Sequence, residues 1–180
     1  MGESLRSILC RQPWNYDSEG QCKIKFNEDG SGELVCRREI PIFIAAQIQW
    51  RVLSDASLLD QSVTKDQDDG IQRPLEVEIT LTRNRSPWVS AKPKINEHLL
   101  SEEAFLPKTY RVRLETGVFI APRDLSSREA TSESVPKYAY RLTFDKSPYP
   151  PREQWKDTTG APDAIKFWEW TEFVSGRMSS

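Results

Sequence analysis

A single histidine, His98, stands in 180 residues, so any Ser-His-Asp or Cys-His arrangement would have to be built on that one side chain. It sits beside Glu97 and Leu99 in a stretch bracketed by prolines, without a companion motif, and reads more plainly as a surface or lid histidine. Cysteine is nearly as scarce. Cys10, Cys22 and Cys36 are an odd number without C-x-x-C spacing, which argues against zinc and for buried free thiols in a reducing compartment. There is no Walker A loop, no G-x-G-x-x-G after a strand and no G-x-S-x-G elbow, so nucleotide-dependent and hydrolase readings drop out. No apolar run approaches the roughly 18 residues of a membrane span, and no leader-type apolar segment follows Met1. The net charge of −2 gives no basic footprint for nucleic acid or an anionic membrane surface. The expectation is a cytoplasmic protein with no metal, no cofactor, no nucleic-acid partner and no membrane span.

What is present is an aromatic-rich set of alternating segments. Six Trp, seven Phe and five Tyr compensate for a modest hydrophobic fraction of 37%, because each ring buries a large area. The stretch FNEDGSGELV, residues 26–35, offers two readings. Asn27, Asp29, Ser31 and Gly32 fall where a calcium loop wants oxygens and a sharp turn, but Arg38 occupies the position that needs a bidentate Glu. The flanks decide. Cys22, Ile24 and Phe26 alternate with Lys23 and Lys25, and Leu34 and Cys36 alternate with Glu33, Val35 and Arg37, a period of two around Asp29-Gly30 that specifies a β-hairpin.

Further strands are expected near 46–53, 74–82, 109–115, 137–145 and 165–174, with the proline-containing run 40–45 as an edge segment or buried connection. Residues 1–12 read as an N-terminal helical plug and 93–107 as a short covering helix. The polar stretches 54–73 and 121–136 read as mobile loops, and 175–180 as a flexible tail. Strands in sequence with few helices between them predict a mainly β fold, one domain over 1–180. Its expected form is a single antiparallel up-and-down β-barrel of about eight strands with one or two short covering helices, and the alternative is a two-layer β-sandwich.

One side of the alternation, including Ile48, Trp50, Val77, Ile79, Tyr110, Val112, Tyr138, Tyr140 and Leu142, is expected to face inward. The other side carries Glu76, Glu78, Arg111 and Arg113, placed to pair across strands in water. Trp14 in RQPWNYD, after the helical ESLRSILC and with Arg177 past the last strand, resembles the lipocalin-like, or calycin, barrels, with Gln12 where that family carries glycine. The resemblance implies an internal cavity for a small apolar ligand, or in a few cases cyclase or isomerase activity.

Three functions follow as expectations. The first is binding of an apolar or aromatic small molecule by Trp50, Tyr110, Tyr140, Trp168 and Trp170, although the same rings could simply fill a small barrel. The second is a cofactor-free cyclase or isomerase in which a Tyr, Glu or Arg polarises a flexible substrate. The third is a protein-interaction module using exposed Trp88, Trp155 and Trp168. Catalytic residues are not readable from the sequence.

Overall fold

The alternating segments become eight antiparallel strands, each bonded to its neighbours in chain order, and the last returns to the first to close a barrel. The computed structural model describes residues 2–38, 41–63, 73–87, 98–126 and 133–179. The strands are β1 (Trp14–Asn15), β2 (Cys22–Phe26), β3 (Ser31–Arg37), β4 (Ile42–Val52), β5 (Leu75–Arg85), β6 (Lys108–Phe119), β7 (Tyr138–Phe144) and β8 (Glu172–Arg177). The closing pair sets Asn15 opposite Val174, which excludes a two-layer sandwich. Among the described residues three short helices accompany the sheet: α1 (Leu5–Arg11), α2 (Pro122–Leu125) and α3 (Ala161–Ile165).

The apolar side of the alternation is inside. Ile24, Phe26, Ile48, Trp50, Val77, Ile79, Tyr110, Val112, Leu142 and Phe144 are buried in one core, each worth about 1.5–3 kcal/mol on transfer from water. Val52 and Tyr140 are only partly buried at its edge, and Tyr138 belongs to a small second cluster with Ala121 and Val174. On the outer side Arg111 reaches Glu76 at 3.9 Å, but Glu78 takes Arg51 at 3.0 Å rather than Arg113. The register explains this, since Arg51 lies opposite Glu78 whereas Arg113 lies opposite Thr143. Exposed pairs of this kind add little stability; their side of the sheet is simply the one that tolerates water.

The hairpin reading of FNEDGSGELV holds. β2 and β3 pair in register, Gly30 takes φ +89°, and Asp29 Oδ1 accepts from the Ser31 amide at 2.9 Å and hydroxyl at 2.6 Å. The oxygens that a calcium ion would need are committed to the turn. Gly32 is required for another reason: a Cβ there would lie 2.2 Å from the Lys25 carbonyl.

Several local expectations need correction. The run 40–45 is no edge, because β4 begins at Ile42 and Phe43, Ile44, Ala45 and Ala46 are all buried; a strand covered on both sides loses its alternation. No strand spans 165–174. Ala161–Ile165 is a helix opened by Pro162, Lys166 stops it in the left-handed conformation, Phe167–Glu169 is a 3-10 turn, and β8 starts only at Glu172. Aromatic enrichment there signals packing across the barrel end, not a strand. β8 also carries Ser175–Arg177, three residues of the stretch read as a tail. Within 54–73, Ala56–Asp60 forms a 3-10 turn with Leu58 and Leu59 buried, while 64–72 lies outside the described residues. In 121–136, Ala121 is fully buried and α2 follows it, and 127–132 lies outside the described residues. Of the covering helix expected over 93–107, the described part holds helical His98 and a 3-10 turn at Glu102–Phe105, while 88–97 lies outside the described residues.

The two barrel ends are closed differently. At the end of the β2–β3 turn, α1 buries Leu5, Ile8 and Leu9, its Ser4 cap accepts from the Ser7 amide, and the fully buried Trp14 donates to the Leu9 carbonyl at 3.0 Å. At the opposite end the β5–β6 and β7–β8 connections meet, bridged at Leu100 and Trp155, over Tyr149, Trp155 and Phe167, all buried.

Candidate functional site

The five aromatic residues proposed from the sequence are spread through the barrel and its cap. Trp50 packs edge-on to Phe26 at 5.2 Å under the β2–β3 turn, and its Nε1 donates to the Asn27 and Ser31 carbonyls. Tyr110 lies in the core against Phe144, the first of a chain of ring contacts that runs through Phe173 and Tyr149 to Trp170, and through Phe167 to Trp168. Trp170 is stacked on Tyr16 at 3.6 Å. Tyr140 stands apart, with Gly176 against its ring. Tyr110, Trp168 and Trp170 are thus linked by ring contacts, while Trp50 and Tyr140 adjoin the same core outside that chain. Of the aromatics considered as exposed, Trp155 is buried, Trp168 is half-buried and Trp88 lies outside the described residues. His98 is exposed.

Two concavities sit at opposite ends of the barrel. The first, about 400 Å³, borders the β2–β3 turn and is lined by Asp29, Ser31, Gln49, Trp50, Arg51 and Glu78 among others. Its charged groups already have partners. Arg51 grips Glu78 through two bonds of 3.0 and 3.2 Å, and Asp29 is held by Ser31. Those bonds, led by the Ser31 hydroxyl, hold the Asp29 carboxyl below its usual range.

The second is larger, about 550 Å³, and opens where the β1–β2 and β3–β4 turns meet α2 and α3. Pro41, Ala161, Ala164 and Ile165 make an apolar wall, and Glu19, Gln21, Arg38 and Arg123 make a polar rim. Each is positioned by local chemistry. Asp17, buried, accepts from the Gln21 and Cys22 amides and fixes the β1–β2 turn. The Arg38 amide donates to the Pro41 carbonyl at 2.9 Å, closing the β3–β4 turn. The Arg123 amide donates to the Tyr16 carbonyl at 3.2 Å, and α3 is tied down by Arg152 on Asp163 at 2.9 Å.

The rim of this mouth cavity is not satisfied from within. Arg38 Nε is buried without a hydrogen-bond partner, and no ion pair to Arg38 or Arg123 occurs among the described residues. Just behind the rim, burial pushes the Tyr16 hydroxyl up, with Arg123 and Arg38 both pulling against that shift. Cys22 and Cys36 face each other across β2 and β3 with sulfurs 3.1 Å apart, both buried, and burial pushes the Cys36 thiol well up. A thiol so held is protonated and a poor nucleophile. Lys108 lies at the base of the cap, its amine lowered to about 8 by burial and by Lys146, and donates to Gln154 at 2.6 Å. Among the described residues no group of three or more His, Cys, Asp or Glu could hold a metal, and no helix is long and apolar enough to cross a membrane.

The chain matches no family model, no curated protein and no solved structure. Sequence reasoning missed Arg38, Arg123 and the α3 alanines, because they come from three separate connections. Nothing in their spacing joins them; only closure of the barrel does.

Proposed function

We propose that the protein binds a small organic molecule with an apolar or aromatic body, seated in the mouth cavity rather than along the barrel axis. The observation that carries this reading is the 550 Å³ cavity itself, with an apolar wall facing a few polar groups, the make-up and size range of small-molecule sites. In this reading Trp50, Tyr110, Trp168 and Trp170 fill and cap the barrel, and Tyr140 packs at its edge. A lipocalin-like role is supported by the eight-stranded up-and-down closure, with the ligand displaced to the rim. A reducing, cytoplasmic setting is part of the proposal, supported by three buried free thiols. The cyclase or isomerase alternative has less behind it, since the carboxylate on the rim, Glu19, is exposed rather than buried against an arginine. Nor is an interaction module favoured by a buried Trp155.

The test is fluorescence titration of the purified chain with 1-naphthol. The proposal expects saturable one-to-one binding that Ala164→Trp, which places an indole in the cavity, abolishes. Absence of saturable binding by neutral and charged naphthalenes alike, or binding indifferent to Ala164→Trp, would overturn it.

A further inference from the structure

We infer that the mouth cavity selects an organic anion, a carboxylate attached to an apolar ring body, with Arg38 and Arg123 as the groups that hold its charge. The inference rests on the binding reading above and adds the chemical class of ligand. Three observations converge on it. Two guanidinium groups from different connections line one cavity, and neither has a carboxylate within ion-pair distance among the described residues. Arg51, Arg141 and Arg152 are each paired with an acid; Arg113, like the two at the mouth, has no ion pair among the described residues, so what sets Arg38 and Arg123 apart is that they share one cavity.

Second, the buried Arg38 Nε donates to nothing, although a buried donor left without an acceptor is costly and calls for one. Third, among the described residues of the rim the formal charge is positive: Arg38 and Arg123 carry two positive charges against the single negative charge of Glu19, in a chain whose net charge is −2. A local positive rim on an acidic protein draws small anions selectively. A carboxylate suits the site better than a larger dianion, because one negative charge cancels the surplus and leaves no unpaired charge in the partly apolar cavity. Its two oxygens match guanidinium donors in a planar geometry. Pro41, Ala161, Ala164 and Ile165 then face the ring body. The opposite concavity, beside the β2–β3 turn, has no such vacancy, since Arg51 is already bonded to Glu78.

The experiment compares 1-naphthoate with its neutral isostere 1-naphthamide and with 1-naphthyl phosphate, by isothermal titration on the wild-type full chain. The proposal expects naphthoate to bind about tenfold or more tighter than naphthamide. That preference should fall as salt rises from about 0.05 to about 0.5 M. Arg38→Gln and Arg123→Gln should each shrink it. Equal affinity for naphthoate and naphthamide would overturn the anion assignment while leaving the binding reading intact. Tighter binding of the phosphate by tenfold would overturn the carboxylate assignment, and no binding by any of the three would overturn the inference and the binding reading together. The wild-type comparison decides even if an arginine variant fails to fold.

Discussion

The two ends of this barrel are both stoppered by buried side chains and reach opposite outcomes. At the α1 end the seal is aliphatic and self-sufficient: Leu5, Ile8 and Leu9 enter the core, Trp14 and Trp50 both place their indole N–H on backbone carbonyls, and the neighbouring groove is closed over its own ion pair. At the other end the seal is aromatic. Tyr149, Trp155 and Phe167 meet edge to face, and beside them four connections leave a cavity where Arg38 Nε has no partner and neither arginine has an ion pair among the described residues. The contrast teaches that size alone does not single out a candidate site: both concavities are large enough for a small molecule, and unmet hydrogen-bonding capacity separates them.

The sharpest way to break that contrast is at the aromatic seal. Phe167 is fully buried and touches Phe43, Tyr149, Trp155 and Trp168, so Phe167→Ala should cost about 3–5 kcal/mol in urea unfolding. A loss below about 1 kcal/mol would show that the cap is not part of the core. Next comes the hairpin at the other end. Gly32→Ala forces a methyl against the Lys25 carbonyl and should cost about 1–3 kcal/mol, read as a lower thermal midpoint. An unchanged midpoint would mean that β2 and β3 are further apart than described.

A smaller effect tests how the cap is tied to the sheet. Tyr149 donates from its buried hydroxyl to the Val35 carbonyl at 2.7 Å, and Tyr149→Phe leaves that carbonyl without its donor at a cost of about 1–2 kcal/mol. The smallest is a pH effect at the base of the cap. The Lys108 amine is lowered to about 8 in the fold against an ordinary value near 10.5, so between those values the unfolded chain binds more protons and stability rises with pH. The rise should be about 1 kcal/mol after allowing for solvent screening, and Lys108→Met should flatten it. Above pH 10 the buried Tyr110 and Tyr149, whose hydroxyls are pushed up by burial, reverse the trend, because the folded state then holds the extra protons.

Much of the barrel was legible because alternation is a direct record of burial. Cys22, Ile24 and Phe26 against Lys23 and Lys25 place one face in the core whatever the rest of the chain does. The pattern failed where burial was two-sided or not strand-like. Phe43–Ala46 is covered on both faces and reads as a featureless apolar run, and the rings of Phe167, Trp168 and Trp170 imitate a strand although they stopper the barrel from a helical connection. β1, two residues long, is too short to show a period at all. The mouth cavity was not legible, because Arg38, Arg123 and Ala164 become neighbours only through the closed sheet.

The most direct measurement is an amide NMR titration of the full chain with 1-naphthoate. A filled interior with its site at the mouth predicts shifts concentrated at Gln21, Arg38, Arg123, Ala164 and Ile165, with Phe26, Trp50 and Tyr110 unmoved. Shifts centred instead on Phe26, Trp50 and Tyr110 would place the ligand inside the barrel and contradict the account.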